Sequence, residues 1–155
     1  MNPTLNILGI SGSLRAQSRN TGLLRFAKQC LPPTVNFQIA DLSDVPFYNA
    51  DHCDSKPEPV QTLIRQVTEA DALVLACPEY NYSIAPALKN ALDWVSRAFQ
   101  RKTGSHHGIR WRHGDIARAV SFAAGLRLFE PPPSEQTGSL FQRLLRLFQR
   151  IWRSH

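Results

Sequence analysis

Two short polar stretches carry the residue types from which a binding site can be built. The first is Ser11-Gly12-Ser13-Leu14-Arg15-Ala16-Gln17-Ser18-Arg19-Asn20. It places hydroxyls, a guanidinium and an amide just ahead of an apolar helical pattern. Free backbone N–H groups at a helix N-terminus suit a phosphate, and an arginine adds a bidentate charged contact. No Gly-Lys-Ser/Thr follows and the loop has no GxGxxG, so a monophosphate fits better than a nucleotide pyrophosphate. The second stretch is Pro78-Glu79-Tyr80-Asn81-Tyr82-Ser83-Ile84. Its tyrosines, amide and hydroxyl can provide a stacking surface and hydrogen bonds for a flat heterocycle. The plain alternatives are a Ser/Asn-capped turn and a proline-led turn whose aromatics cover a sheet edge.

Each stretch directly follows an apolar run. LNILGI (5–10) and ALVLAC (72–77) read as buried parallel strands, the second as a central one. NFQIADLS alternates like a strand between them. A helix is expected from Ser18 or Asn20, with Leu23, Leu24, Phe26 and Ala27 on its apolar face and Pro32 and Pro33 ending it. VQTLIRQVTEA reads as a second amphipathic helix. ALKNALDWVSRAF reads as a third, with Leu88, Ala91, Leu92 and Val95 on one side. Residues 44–59 and Pro78 to Pro86 read as loops. The order β-α-β-α-β-α implies an α/β fold, a parallel sheet with helices on both faces. Both polar stretches then emerge at the carboxyl edge of that sheet, where such folds bind ligands.

Within 1–97 nothing forms a nucleophile–base triad or a metal cluster, so neither catalytic nor metal residues are assigned. His52 lies by itself in a loop and reads as solvated; Trp94 reads as core. The three cysteines, Cys30, Cys53 and Cys77, have no CxxC spacing and read as reduced, small, buried or half-buried residues. With no basic-apolar leader at the start and no stretch approaching a membrane span, the expected location is cytoplasmic.

GSLRAQSRN followed by PEYNYSIAPALKNALDW resembles the paired signature of the NADPH-dependent FMN reductase family, which includes chromate and quinone reductases. The resemblance covers about residues 5–97 and implies a flavodoxin-like fold. It implies that Ser11, Ser13, Arg15, Ser18 and Asn20 hold an FMN phosphate. Pro78, Glu79, Tyr80, Asn81 and Ser83 would line the isoalloxazine ring, largely through backbone groups. It further implies hydride transfer from NAD(P)H as co-substrate, through FMN, to a small-molecule acceptor such as a quinone, chromate or flavin. The cofactor carries that chemistry and asks for no catalytic side chain. Relatives commonly form dimers or tetramers, with Tyr82 and the ALKNALDW helix near the interface. Many carry Pro-Gly where this chain has Ala85-Pro86.

Past Arg97 the pattern changes. Residues 1–96 hold seven Lys and Arg against nine Asp and Glu, net −2, whereas residues 97–155 hold eleven against three, net +8. A complete flavodoxin-like sheet needs two more strand–helix units, but QRKTGSHHGIRWRHGDIAR contains nothing like a buried strand. Read one base late through the codon table, KTGSHHGIRWRHGDIAR becomes KPAAIMGSAGGMGTSRA. AVSFAAGLRLFEPPPSEQTGSLF becomes QYHLRQVFDYLNLRPLNKPEVFF. These resemble the strand, glycine-rich loop, helix and fifth strand that the family has there.

The expectation is therefore a three-stranded half-domain over 1–97 and a basic tail over 98–155 produced by a frameshift. The edge of the third strand is left exposed, and activity is impaired. Two other classes are weighed: a flavodoxin-like electron carrier, and a protein binding anionic membrane or nucleic acid through its tail. For the latter, SLFQRLLRLFQRIWRSH reads as a basic amphipathic helix. His106-His107 and His113 have no carboxylate or cysteine partners. Neither nucleic acid nor membrane is the favoured partner.

Overall fold

The computed structural model describes residues 5–99, 125–129 and 146. Strand β1 (Leu5–Ser11) leads through the first polar loop into helix α1 (Arg19–Cys30), then strand β2 (Val35–Ala40). A long connection with one 3₁₀ turn (Ala50–His52) reaches helix α2 (Glu58–Glu69) and strand β3 (Ala72–Cys77). Two short strands, β4 (Glu79–Tyr80) and β5 (Ser83–Ile84), precede helix α3 (Pro86–Phe99); β6 is Gly125–Phe129.

The main sheet has the order β2-β1-β3-β6. β1 runs parallel to β2 from Leu5↔Val35 to Ile10↔Ala40, and parallel to β3 from Ile7↔Ala72 to Ser11↔Ala76. The order 2-1-3 with helices on both faces is the flavodoxin-like arrangement. Strand alternation decides which residues meet which helix. Ile7, Phe37, Ala72, Val74 and Ala76 pack on one face with Leu24 and Ala27 of α1. Leu8, Ile10, Leu73, Leu75 and Cys77 pack on the other with Leu63 and Val67 of α2 and Leu88, Ala91, Leu92 and Val95 of α3. All six residues of β3 are buried, which is why its sequence is a continuous apolar run rather than an alternating one.

Several expectations are corrected. The third strand is not an open edge: β6 lies antiparallel beside it, from Leu73↔Phe129 to Cys77↔Gly125. A three-strand count by apolar runs misses such a strand because an edge position needs only backbone pairing on one side. Cys30 is exposed, at the solvent end of α1, whereas Cys53 is half-buried and Cys77 buried. The stretch from Pro78 to Pro86 is not an irregular loop but carries the β4–β5 hairpin, and α3 begins at Pro86 itself. Proline suits a first helical position because its missing N–H would have had no partner there. Trp94 is core as expected, at 1% exposure, and His52 is exposed. Of the tail helix expected over 139–155, Arg146 alone is described, helical and exposed. The histidines at 106, 107 and 113, and the rest of that helix, lie outside the described residues.

Among the described residues no helix is long and apolar enough to cross a membrane.

Candidate functional site

Both polar stretches leave the sheet at its carboxyl edge, from neighbouring strands whose order reverses between β1 and β3. Gly12 is the joint between them. Its N–H donates to the Ala76 carbonyl at 2.8 Å, extending the β1–β3 pairing one residue past the strand. A Cβ at this position would lie 2.6 Å from Cys77 Sγ and 3.2 Å from Leu88 Cβ. Only glycine lets the loop press against β3 and α3 at once. Cys77 Sγ is itself fixed: it donates to the Pro78 carbonyl and accepts from Ala85 N–H, each at 3.2 Å. Burial pushes this thiol above its ordinary value, the Ala85 bond opposing it. Cys77 is thus a neutral pin between the start and end of the second stretch.

In the first stretch, Ser18 caps α1, its Oγ accepting from Thr21 N–H at 3.3 Å. Ser11 Oγ accepts from Thr21 Oγ1 at 2.9 Å and from Ser13 N–H at 3.3 Å. These two serines are 6% and 8% exposed and brace the loop from inside. Ser13 and Asn20 are half-exposed and Arg15 is exposed. Among the described residues, the backbone amides of Leu14, Arg15, Ala16 and Gln17 have no hydrogen-bond partner. They lead into a helix with no acidic residue in its first turn. Unpaired consecutive amides followed by an uncompensated helix N-terminus form an anion cradle. The residues present therefore fit a phosphate, the unpaired amides offering donors while the Ser11 and Ser18 hydroxyls are engaged within the loop.

In the second stretch, Glu79 pairs with Ile84 and Tyr80 with Ser83 across a two-residue turn. Asn81 and Tyr82 at that turn have φ of 52° and 61°, the left-handed pair that defines a type I′ hairpin. Asn accepts this conformation readily. A tyrosine does not, and its strain is of order 1–3 kcal/mol. The hairpin holds Tyr80 at 52% and Tyr82 at 94% exposure, with Glu79, Asn81 and Ser83 exposed beside them and Pro78 half-buried. A rigid, solvent-facing strip of aromatic and amide groups next to the anion cradle is the second half of the site. No hydrogen bond directly joins the side chains of the two stretches among the described residues. Gly12, Ala76 and Cys77 connect them.

A third element was not flagged by sequence. Asn90 of α3 accepts from Tyr48 N–H at 2.7 Å and donates to the Pro46 carbonyl at 2.9 Å. Trp94 Nε1 donates to the same carbonyl at 2.8 Å, and the Tyr48 ring meets the indole edge-on at 5.0 Å. The long β2–α2 connection is therefore clamped onto α3. The Asn90–Trp94 spacing of one helical turn was the available signal; its partners lie more than forty residues earlier.

The anion-fitting loop and the exposed aromatic hairpin thus meet at the β1/β3 switch point of a flavodoxin-like sheet, the edge at which such folds bind ligands. The model for the family described as NADPH-dependent FMN reductase matches residues 5–125. The chain belongs to this family. An NAD(P)H-dependent FMN reductase of Pseudomonas aeruginosa is 46% identical over 98 residues, covering 63% of this chain and 53% of that protein. An NADPH:quinone oxidoreductase of Arabidopsis thaliana is 42% identical over 101 residues, covering 61% and 51%. Among solved structures, the flavoenzyme NAD(P)H:(acceptor) oxidoreductase FerB of Paracoccus denitrificans superposes with a TM-score of 0.57 at 32% identity, covering 60% of this chain and 51% of that one. The chain thus spans about half the length of the curated relatives it matches. The family match runs beyond Arg97, where the sequence motifs stop.

Proposed function

We propose that this chain is an NAD(P)H-dependent FMN reductase, or a descendant of one, that passes hydride from NAD(P)H through FMN to a small-molecule acceptor such as a quinone. The observation carrying the reading is the run of unpartnered amides at 14–17 set against the Asn81–Tyr82 hairpin across Gly12. In this reading the amides of 14–17, with Ser13, Arg15 and Asn20, bind the FMN phosphate. Ser11 and Ser18 hold the loop in shape around them. The hairpin, through Pro78, Glu79, Tyr80, Asn81 and Ser83, supports the isoalloxazine ring. Bound FMN supplies two-electron redox chemistry; the protein's part is to bind it, orient it and shield one ring face. Relatives named as quinone reductases favour a quinone-class acceptor. The exposed Tyr82 on its strained turn favours assembly of copies through this face.

After α3, the strand and glycine-rich loop expected of the family resemble this chain's shifted reading frame, which supports replacement of the C-terminal third by a frameshift near 97–101. Retention of FMN is then weak and NAD(P)H oxidation slow, because the glycine-rich wall expected to cover the second ring face is missing. Titrating the purified chain with FMN, followed by quenching of flavin fluorescence, tests the site. Binding that is abolished by reversing the charge at Arg15 supports it, and no binding at high FMN concentration refutes it. A tightly yellow protein with rapid turnover would refute the impairment instead. The coding DNA decides the frameshift: stop codons early in the shifted frame would exclude it.

A further inference from the structure

The clamp on the β2–α2 connection leaves one large apolar side chain uncovered. Pro46 and Tyr48 are both bonded to α3, yet Phe47 between them is 85% exposed. An apolar ring held toward water by a fixed backbone marks an interaction surface. Its surroundings carry charge of one sign. Asp41, Asp44, Asp51, Asp54 and Glu58 are all exposed along the connection, with Lys56 as the one base in 41–58. Residues 5–40, by contrast, hold Arg15, Arg19, Arg25 and Lys28 and no acid. An acidic surface with an apolar anchor fits a basic amphipathic helix. We propose that it is the docking surface for the chain's own C-terminal segment, residues 140–153. Phe47 belongs to neither the amide cradle nor the hairpin, so the proposal stands apart from the flavin reading.

Charge, shape and reach select this occupant. LFQRLLRLFQRIWR (140–153) holds Arg143, Arg146, Arg150 and Arg153 and no acid, the complement of the acidic connection. Read as a helix at about 100° per residue, its apolar side chains form one arc, and Arg146 lies opposite the middle of that arc. Arg146 is helical and exposed, as docking through the apolar arc requires. Arg143 and Arg150 fall at the border of the arc, where they can reach carboxylates beside Phe47. The connector is long enough. β6 ends at Phe129, opposite Leu73 near the amino end of β3. The carboxyl edge is about 20 Å away along β3, and β2 about 14 Å across the sheet, a diagonal of roughly 25 Å. Residues 130–139, with Pro131, Pro132 and Pro133 among them, span up to about 31 Å. A helix of this length is marginal by itself in water. Against Phe47 and the acids it gains an apolar contact and several ion pairs together, whereas a single exposed pair would contribute little.

The experiment measures hydrogen exchange by mass spectrometry on the full chain at low and high salt. It compares the parent with Phe47→Ala and with the double variant Arg143→Gln, Arg150→Gln. Phe47 is exposed, and glutamine matches arginine in helix propensity, so neither variant disturbs the core; protected β1 amides serve as the control. The expected result is that amides of 140–153 are protected about tenfold or more in the parent at low salt. Each variant, and high salt, should reduce this to about threefold or less. Dilution of the protein should leave it unchanged, because the contact is within one chain. Protection that survives Phe47→Ala, or no protection of 140–153 under any of these conditions, would overturn the docking. Protection lost on dilution would assign the surface to a second copy instead. Protection that arises only with anionic phospholipid vesicles or a DNA duplex would overturn it in favour of an external partner.

Discussion

Replacing Gly12 by alanine tests whether the two halves of the site are joined as the packing implies. The new Cβ would sit 2.6 Å from Cys77 Sγ, 3.2 Å from Leu88 Cβ and 3.3 Å from Cys77 Cβ. Carbon and sulfur need roughly an ångström more than the shortest of these. Sγ cannot swing aside without giving up its bonds to Pro78 and Ala85, and Leu88 is 1% exposed in the helix-packed core. Overpacking in a site with so little room costs about 2–3 kcal/mol, at the upper end of the usual range. For a domain of this size that lowers Tm by about 5–10 °C. Cys77→Ala alone removes the sulfur and leaves the Ala85 N–H unpaired, costing about 1–2 kcal/mol. In the double variant the sulfur clash is gone. Its loss should therefore fall short of the two single losses together by about 1 kcal/mol or more. Urea unfolding of the four proteins, followed by circular dichroism, reads this coupling. Additive losses, or a Gly12→Ala variant as stable as the parent, would refute the joint.

Asn90→Ala removes both bonds that clamp the β2–α2 connection and should cost about 1.5 kcal/mol; the Tyr48 amide then exchanges hydrogen faster while the β1 amides do not. Asp41 has its carboxyl lowered by the side-chain and then the backbone bond from Ser43. Its stabilisation is therefore present above the unfolded carboxylate range and lost as pH falls through the folded value. As an exposed group its share is under about 0.5 kcal/mol after solvent screening; Asp41→Asn should match the parent in acid and lag it slightly at neutral pH in paired urea titrations. Arg127→Pro breaks the β6 pairing opposite Leu75. Amides of β3 should then lose exchange protection and light scattering should rise as the apolar edge is uncovered; unchanged protection would mean that β6 does not guard β3.

The sequence by itself determined the parallel core and which two stretches leave its carboxyl edge to form the candidate site. LNILGI and ALVLAC are apolar at every position or nearly so, and only a strand covered on both faces uses such a run. Ser18 ahead of a helical pattern, and prolines at its far end, delimit α1 through local capping and backbone constraints. Chemistry of that kind depends on neighbours in the chain, so it is legible without the fold. The hairpin at Asn81–Tyr82 was less legible, because Asn-Tyr lacks the glycine that usually marks a type I′ turn.

Tertiary structure decided what depends on residues far apart in sequence. It turned Ser11 and Ser18 inward as braces and gave the anion cradle to unpaired amides, which no side-chain pattern encodes. It set Gly12 against Cys77, joining the two stretches through van der Waals contact. It clamped Pro46 and Tyr48 to Asn90 and Trp94, and so left Phe47 facing solvent between them. Gly12 is glycine because of the strand order 2-1-3. Strand order is a global choice, and composition and periodicity carry only local information.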